Sequence, residues 1–329
     1  MIGFCLAAGA GSRLAPLTRA TPKPLLAPAG RPLIDLAVEA LQEAGTARVV
    51  VNAHHGADQL AAHLADRPDV EVVREPLLLG TGGGLANAAR LGLLGTGDDV
   101  VLVTCADKLI DPADLAALAG SLDGADAPMV AGLVPADEDP FGLRLEGGPV
   151  DGGGSPAAAS RVVRDPGGPW DSAGVYALRA GILDGLDPVP STLAGTVLGP
   201  LLDRGWLAGL PLRGPWADAG TLHRLLAASA GLLAGRWPYP LPAGRLLHGA
   251  CRGAPVLVVK DAVLDPAAVL AGPVVLDAGS RVAAGAVVTR AVVGPGATVG
   301  AGARLVGSVL GPGARLPAGE AAVAALLPR

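Results

Sequence analysis

Near its start the chain runs Leu6-Ala7-Ala8-Gly9-Ala10-Gly11-Ser12-Arg13-Leu14, then Pro16-Leu17-Thr18 and Thr21-Pro22-Lys23-Pro24-Leu25. An apolar run that breaks into a glycine-rich turn lets backbone N–H groups approach an anion closely. Arg13 brings a planar fork that can grip phosphate oxygens, and Lys23 a point charge on a flexible stem. The chain has only three lysines, Lys23, Lys108 and Lys260, so a site that needs an ammonium has few sources. A tight βα turn of purely structural use would carry the same glycines. The Arg and Lys at fixed offsets are what point to phosphate. Two common phosphate motifs fail: no Gly-Lys pair exists for a P-loop, and G-x-G-x-x-G would need Gly at Leu14.

The elements that must hold this turn alternate between strand and helix. Ile2–Ala7, Arg48–Asn52, Val70–Val73 and Val100–Thr104 read as strands. Pro32–Ala44, Asp58–Ala65, Leu85–Leu91 and Pro112–Leu122 read as helices, the last with Asp111 as N-cap. This rhythm predicts an α/β fold with a doubly wound, mainly parallel, Rossmann-like sheet. Gly147–Pro156 reads as an exposed loop, Arg161–Arg164 and Ala173–Leu178 as strands, and Thr221–Leu233 as a helix. Trp237-Pro238-Tyr239-Pro240-Leu241-Pro242 ends the pattern. The expected domains are therefore a first domain over 1–236, a linker over 237–245, and a smaller domain over 246–329.

That last stretch repeats. Leu264, Leu270, Leu276, Val282 and Val288 are six apart, and a five-residue step leads to Val293, Val299 and Leu305. Another five-residue step leads to Leu310 and Leu316, and small residues such as Ser280, Ala286, Ala297 and Ala303 follow four after the aliphatics. A hexapeptide period predicts a parallel β-helix, with aliphatics inward and small residues at the corners. Ala318–Leu327 is expected to cap its open end as a helix, and homo-oligomerisation is expected.

Composition narrows the function classes. The net charge is −5 and aromatics make 2% of the chain, which argues against nucleic acid as a partner. The longest charge-free stretches, such as Pro188–Leu202, fall short of the roughly 18 apolar residues of a membrane span and are broken by Gly and Pro. Cys5, Cys105 and Cys251 are widely spaced and odd in number, so neither a disulfide framework nor a zinc site is expected. Ile2–Ala10 lacks a basic leader, so no signal peptide is expected and the cytoplasm is the expected compartment. His54-His55 reads as a loop feature.

The whole N-terminal stretch resembles the signature of the sugar-1-phosphate nucleotidyltransferases, approximately L-A-G-G-x-G-x-R-L-x-P-L-T followed by P-K-P-L, with Ala8 where many members have Gly. Gly80-Thr81-Gly82-Gly83-Gly84 resembles their second nucleotide loop. Val101–Asp107 resembles their strand ending in a magnesium-binding Asp, and Asp218-Ala219-Gly220-Thr221 their late D-x-G-T. A hexapeptide tail is found on many members, and the combination most resembles mannose-1-phosphate guanylyltransferases.

The resemblance implies a nucleoside triphosphate and a sugar 1-phosphate as partners, joined with release of pyrophosphate. It implies nucleotide contacts from Leu6, Ala7, Ala8, Gly9, Ala10, Gly11, Ser12, Arg13, Gly80, Thr81 and Gly82. It implies catalytic roles for Arg13, Lys23 and Asp107, and Mg2+ bound by Asp107 and Asp218. Hard carboxylate oxygens suit that ion. For the sugar phosphate it implies Gly142, Arg164, Asp165 and Ser172. Three of these depart from the family: Arg164 and Asp165, in Val163-Arg164-Asp165-Pro166 where members have E-K-P, and Ser172 where members have Asn. Uridylyl transfer to another hexose or amino-sugar 1-phosphate is the alternative, as is a homologue that binds nucleotide sugar without turnover. A dinucleotide oxidoreductase lacks its third glycine. No histidine follows His248, so acyl transfer by the tail is not expected.

Overall fold

The computed structural model describes residues 1–136, 143–146, 159–247 and 254–329. They form two compact units: Met1–Gly9 with Ala37–Trp216, and Ala10–Leu36 with Ala217–Arg329. The chain thus leaves the first unit at Gly9, contributes a segment to the second, and returns at Ala37.

The first unit is built on a sheet with the spatial order Val70–Arg74, Arg48–Ala53, Ile2–Leu6, Val100–Cys105, Trp170–Arg179, Met129–Pro135, Leu207–Pro211, Ser160–Arg164, Leu143–Glu146. The first four strands are parallel, with Ile2 opposite both Arg48 and Val101. Their side chains are buried on both faces, as in Val49-Val50-Val51 and Val101-Leu102-Val103, which is why they read as continuous apolar runs. Beyond them the sheet is mixed, with Met129–Pro135 and Leu207–Pro211 again paired in parallel. Trp170–Arg179 runs antiparallel to both neighbours, and the last two strands are antiparallel as well.

A correction concerns Gly80–Gly84. The helix expected from Leu85 begins at Gly80 and runs to Arg90, so the glycines lie inside it. The backbone of Val189–Thr192 lies against them: Ser191 N–H donates to Leu79 O at 2.9 Å, and Gly82 N–H donates to Ser191 O at 3.0 Å. A Cβ on Gly82 would stand 2.7 Å from Thr192 O, and one on Gly83 would collide with Val189 O. Poor helix formers are accepted here because only they let two backbones meet.

In the second unit the C-terminal strands pair in parallel at the spacing of the repeat. Val263 lies opposite Arg281, 18 residues on, and Val293 opposite Leu310, 17 residues on. Three six-residue steps make the longer spacing, and one five-residue step shortens it. Val282, Val288, Val293, Val299, Leu305 and Leu310 are buried, as are Ser280, Ala286, Ala297 and Ala303. These strands fit a β-helix. Ala318–Leu327 does not form the expected helix: Ala321–Val323 and Leu326–Leu327 extend the strands, with Ala322 opposite Leu305. Ser308 fixes that register, its hydroxyl accepting from Ala325 N–H at 2.9 Å. Trp237 and Tyr239, expected in a linker, are buried, and Arg31 donates to Pro240 O at 3.1 Å. The expected loop Gly147–Pro156 lies outside the described residues. Among the described residues no helix is long and apolar enough to cross a membrane.

Gly83→Ala is expected to lower stability by about 1–3 kcal/mol through overpacking against Val189. Gly120→Ala, on an exposed helix position with open space around it, is expected to raise stability by about 0.5–1 kcal/mol. Urea denaturation of the two variants checks both signs.

Candidate active site

In the second unit the glycine-rich segment folds back on itself. Gly11 has φ +63°, and a Cβ there would stand 2.9 Å from both Lys23 Cβ and Thr18 Cγ2. Thr18 Oγ1 donates to Gly11 O at 3.0 Å. The base of the Lys23 side chain is therefore pressed against a position that only glycine fills. Short turns over Ser12–Leu14 and Lys23–Leu25 carry the two cations.

The Arg13 guanidinium meets Gly220. A Cβ on Gly220 would stand 2.7 Å from Arg13 Nη2 and 2.7 Å from Asp218 Oδ1. Asp218 is nearly buried; its Oδ1 accepts from Gly220 N–H at 2.6 Å and its Oδ2 from Arg224 Nη1 at 3.1 Å. The structure thus brings Arg13 and Asp218 to one place and adds Arg224, which sequence reasoning missed. The sole signal for Arg224 was its position in the first turn of the helix that Thr221 caps.

The first unit holds the rest of the set. Ala106 N–H donates to Leu6 O at 3.0 Å, and Asp107 follows at the carboxyl end of Val100–Cys105, half-buried. Burial, with the charges of Cys105 and Asp107, pushes the Cys5 thiol well up. Ala7 N–H is engaged by Asn52 Oδ1 at 2.8 Å, and Ala8 O accepts from His55 N–H at 3.4 Å. Asn52 Nδ2 in turn donates to Glu75 Oε1 at 2.7 Å, and Glu75 Oε2 accepts from Leu79 N–H at 3.3 Å. This buried relay ties the end of the first strand to the start of the Gly80–Arg90 helix. Neither Asn52 nor Glu75 was foreseen, because a polar residue at a strand end reads as a turn. Thr81 is tied as well, its hydroxyl accepting from Leu193 N–H at 2.8 Å. Gly9 is exposed with open space around it.

On the sugar side, Ser172 Oγ shares a hydrogen bond with Tyr176 OH at 2.9 Å and accepts from Gly174 N–H at 3.2 Å. Burial pushes the Tyr176 hydroxyl up to about 12. Both line a cavity of about 430 Å³ walled by Leu143, Leu202 and Leu207. Lys108, given no role from sequence, runs beside Gly174, with its ammonium 5.2 Å from the Trp216 ring centre. Arg164 and Asp165 instead make exposed ion pairs, with Asp203 at 3.9 Å and Arg144 at 3.1 Å. Gly142 lies outside the described residues.

Asp107 and Asp218 offer the hard oxygens a divalent ion prefers. Among the described residues no three His, Cys, Asp or Glu side chains gather as a ready-made cage.

A family model described as Nucleotidyl transferase matches residues 2–235. The chain belongs to this family. It is 32% identical over 313 residues to the bifunctional protein GlmU of Sorangium cellulosum, covering 88% of this chain and 64% of that protein. It is 30% identical to the mannose-1-phosphate guanylyltransferase of Mycobacterium tuberculosis, covering 87% of this chain and 82% of the relative. It is also 30% identical to the N-acetylmuramate alpha-1-phosphate uridylyltransferase of Neisseria meningitidis, covering 72% of this chain and all of the relative. Family membership makes the chain an enzyme of nucleotidyl transfer to sugar phosphates, and such enzymes use a divalent metal.

Burial raises the Glu75 carboxyl above 4.5 even though Asn52 and Leu79 donate to it. The folded state then keeps a proton that the unfolded chain has released. The stability this group contributes is complete below the unfolded value and is lost as pH rises through the folded one. Across that window the wild type is expected to lose stability relative to Glu75→Gln in urea melts. A difference independent of pH would refute the raised carboxyl.

Proposed function

We propose that this protein transfers a guanylyl group from GTP to mannose 1-phosphate or a related sugar 1-phosphate, releasing pyrophosphate. The reading is carried by one observation: Arg13 and Asp218 meet over Gly220 in the same compact unit that presses Lys23 against Gly11. A cationic fork, an ammonium and a metal-competent carboxylate on one framework suit a triphosphate.

In the reaction an oxygen of the sugar phosphate attacks the α-phosphorus, a P–O bond forms, and the bond to the β-phosphate breaks. No covalent enzyme intermediate is needed, so positioning and charge stabilisation carry the rate. Arg13 and Lys23 hold the triphosphate oxygens, with the backbone of Gly9–Ser12 and the start of the Gly80–Arg90 helix beside the nucleotide. Asp107 and Asp218 would hold Mg2+, which would supply charge neutralisation for the α-phosphate and the leaving pyrophosphate. Ser172, Gly142, Arg164 and Asp165 are the candidates for contact with the sugar phosphate. The chain divides by function into a catalytic domain over 1–236 and a β-helix domain over 246–329.

Uridylyl transfer is the second reading. The full-length match to the Neisseria meningitidis uridylyltransferase favours it.

Pyrophosphate release, measured with Mg2+ across GTP, UTP, ATP, CTP and dTTP against a panel of sugar 1-phosphates, decides between them. Release is expected only with both substrates, and to fall at least about 100-fold in Asp107→Ala and in Arg13→Ala. Binding of nucleotide sugar without release for any pair would assign the chain to the non-catalytic homologues.

A further inference from the structure

The segment that carries Arg13 and Lys23 has little structure of its own. Between Ser12 and Leu25 it holds two three-residue turns and one four-residue helix. Elements that short are not stable alone in water. What places the two cations must be tertiary contact, and the compact unit shows where it comes from: Ala10–Leu36 clusters with Ala217–Arg329 rather than with the sheet.

The contacts are specific. Leu17, between the two cations in sequence, is buried, and a Cβ on Gly311 would stand 2.5 Å from its Cδ1. Gly311 belongs to the C-terminal repeat, where its N–H donates to Leu327 O at 2.7 Å. Further along, a Cβ on Gly30 would stand 2.9 Å from Pro242 Cγ and 3.1 Å from Val259 Cγ2. A cavity of about 150 Å³ remains at this seat, lined by Leu17, Leu25 and Pro28 together with Leu225 and Leu310. The seat is therefore tight at Leu17 and slack beside it.

We propose that Leu17 and Gly311 are positioning residues, and that the C-terminal strands hold Arg13 and Lys23 in the geometry that receives the triphosphate. This rests on the reading that those two cations bind the nucleotide. A displacement of about 1 Å in such groups lowers rate about 100-fold. One methyl group at residue 311 is enough to push Leu17.

The test uses the full chain with three variants: Gly311→Ala, Leu17→Val, and the two combined. Amide hydrogen exchange is followed over Ser12–Leu26 and over Val282–Leu305, and kcat/KM for the nucleotide is measured by pyrophosphate release. Gly311→Ala is expected to speed exchange over Ser12–Leu26 by about 10-fold or more, with Val282–Leu305 within about 2-fold. It is expected to lower kcat/KM about 10- to 100-fold. Adding Leu17→Val makes room for the new methyl group and is expected to restore most of both.

Unchanged exchange over Ser12–Leu26 overturns the proposal, as does a double variant no better than Gly311→Ala. If Gly311→Ala loosens Val282–Leu305 too, Leu17→Ala is read instead, with the same expected loosening of Ser12–Leu26 and the same overturning result. A wild type that releases no pyrophosphate with any pair fails the functional reading, and the exchange arm still decides whether the seat holds the segment.

Discussion

Close approach without a Cβ is the constraint on which this molecule depends. At Gly82 and Gly83 it lets a helix meet the backbone of Val189–Thr192, at Gly11 it lets Lys23 fold back, and at Gly220 it brings Arg13 beside Asp218. Each of these positions would put a Cβ under 3 Å from another heavy atom. Glycine lowers helix propensity by about 1 kcal/mol per residue, so its use inside Gly80–Arg90 must be offset by the contacts it permits. The composition, with 49 glycines, is thus partly a record of packing and not only of turns.

That dual use explains which parts of the fold were legible in the sequence. The four parallel strands were, because burial on both faces leaves an unbroken apolar run. The C-terminal repeat was, down to its five-residue steps, because each step shifts the pairing from 18 to 17 residues. The Gly80–Gly84 run was misplaced because a glycine in a loop and a glycine under a neighbouring backbone look alike. Ala318–Leu327 was misread because Ala and Leu suit a helix, whereas register with the preceding strands overrides that preference. The antiparallel pairings of Trp170–Arg179 and of the last two strands were hidden because composition does not record strand direction.

The site shows the same division. Arg13 and Lys23 could be proposed because charge at fixed spacing survives in a sequence, and Asp107 and Asp218 through the family resemblance. Asn52, Glu75, Arg224 and Lys108 could not, since their meaning lies in what faces them. The relay from Ala7 through Asn52 to Glu75 occupies a backbone N–H that a phosphate would otherwise use. A glycine-rich motif therefore overstates how many of its amides face a ligand. The ion pairs of Arg164 and Asp165 make the same point for side chains: a charge at the right place in a motif can already be engaged elsewhere.

The excursion of Ala10–Leu36 into the second unit also has a consequence for how the protein is made. Gly311, which touches Leu17, is synthesised 294 residues after it. At ordinary elongation rates of about 5–20 residues per second, the interval is roughly 15–60 s. The sheet can assemble during that time. The Ser12–Leu25 segment finds its seat only once Gly311 has been made, so its ordering is timed by synthesis of the repeat rather than by folding of the sheet.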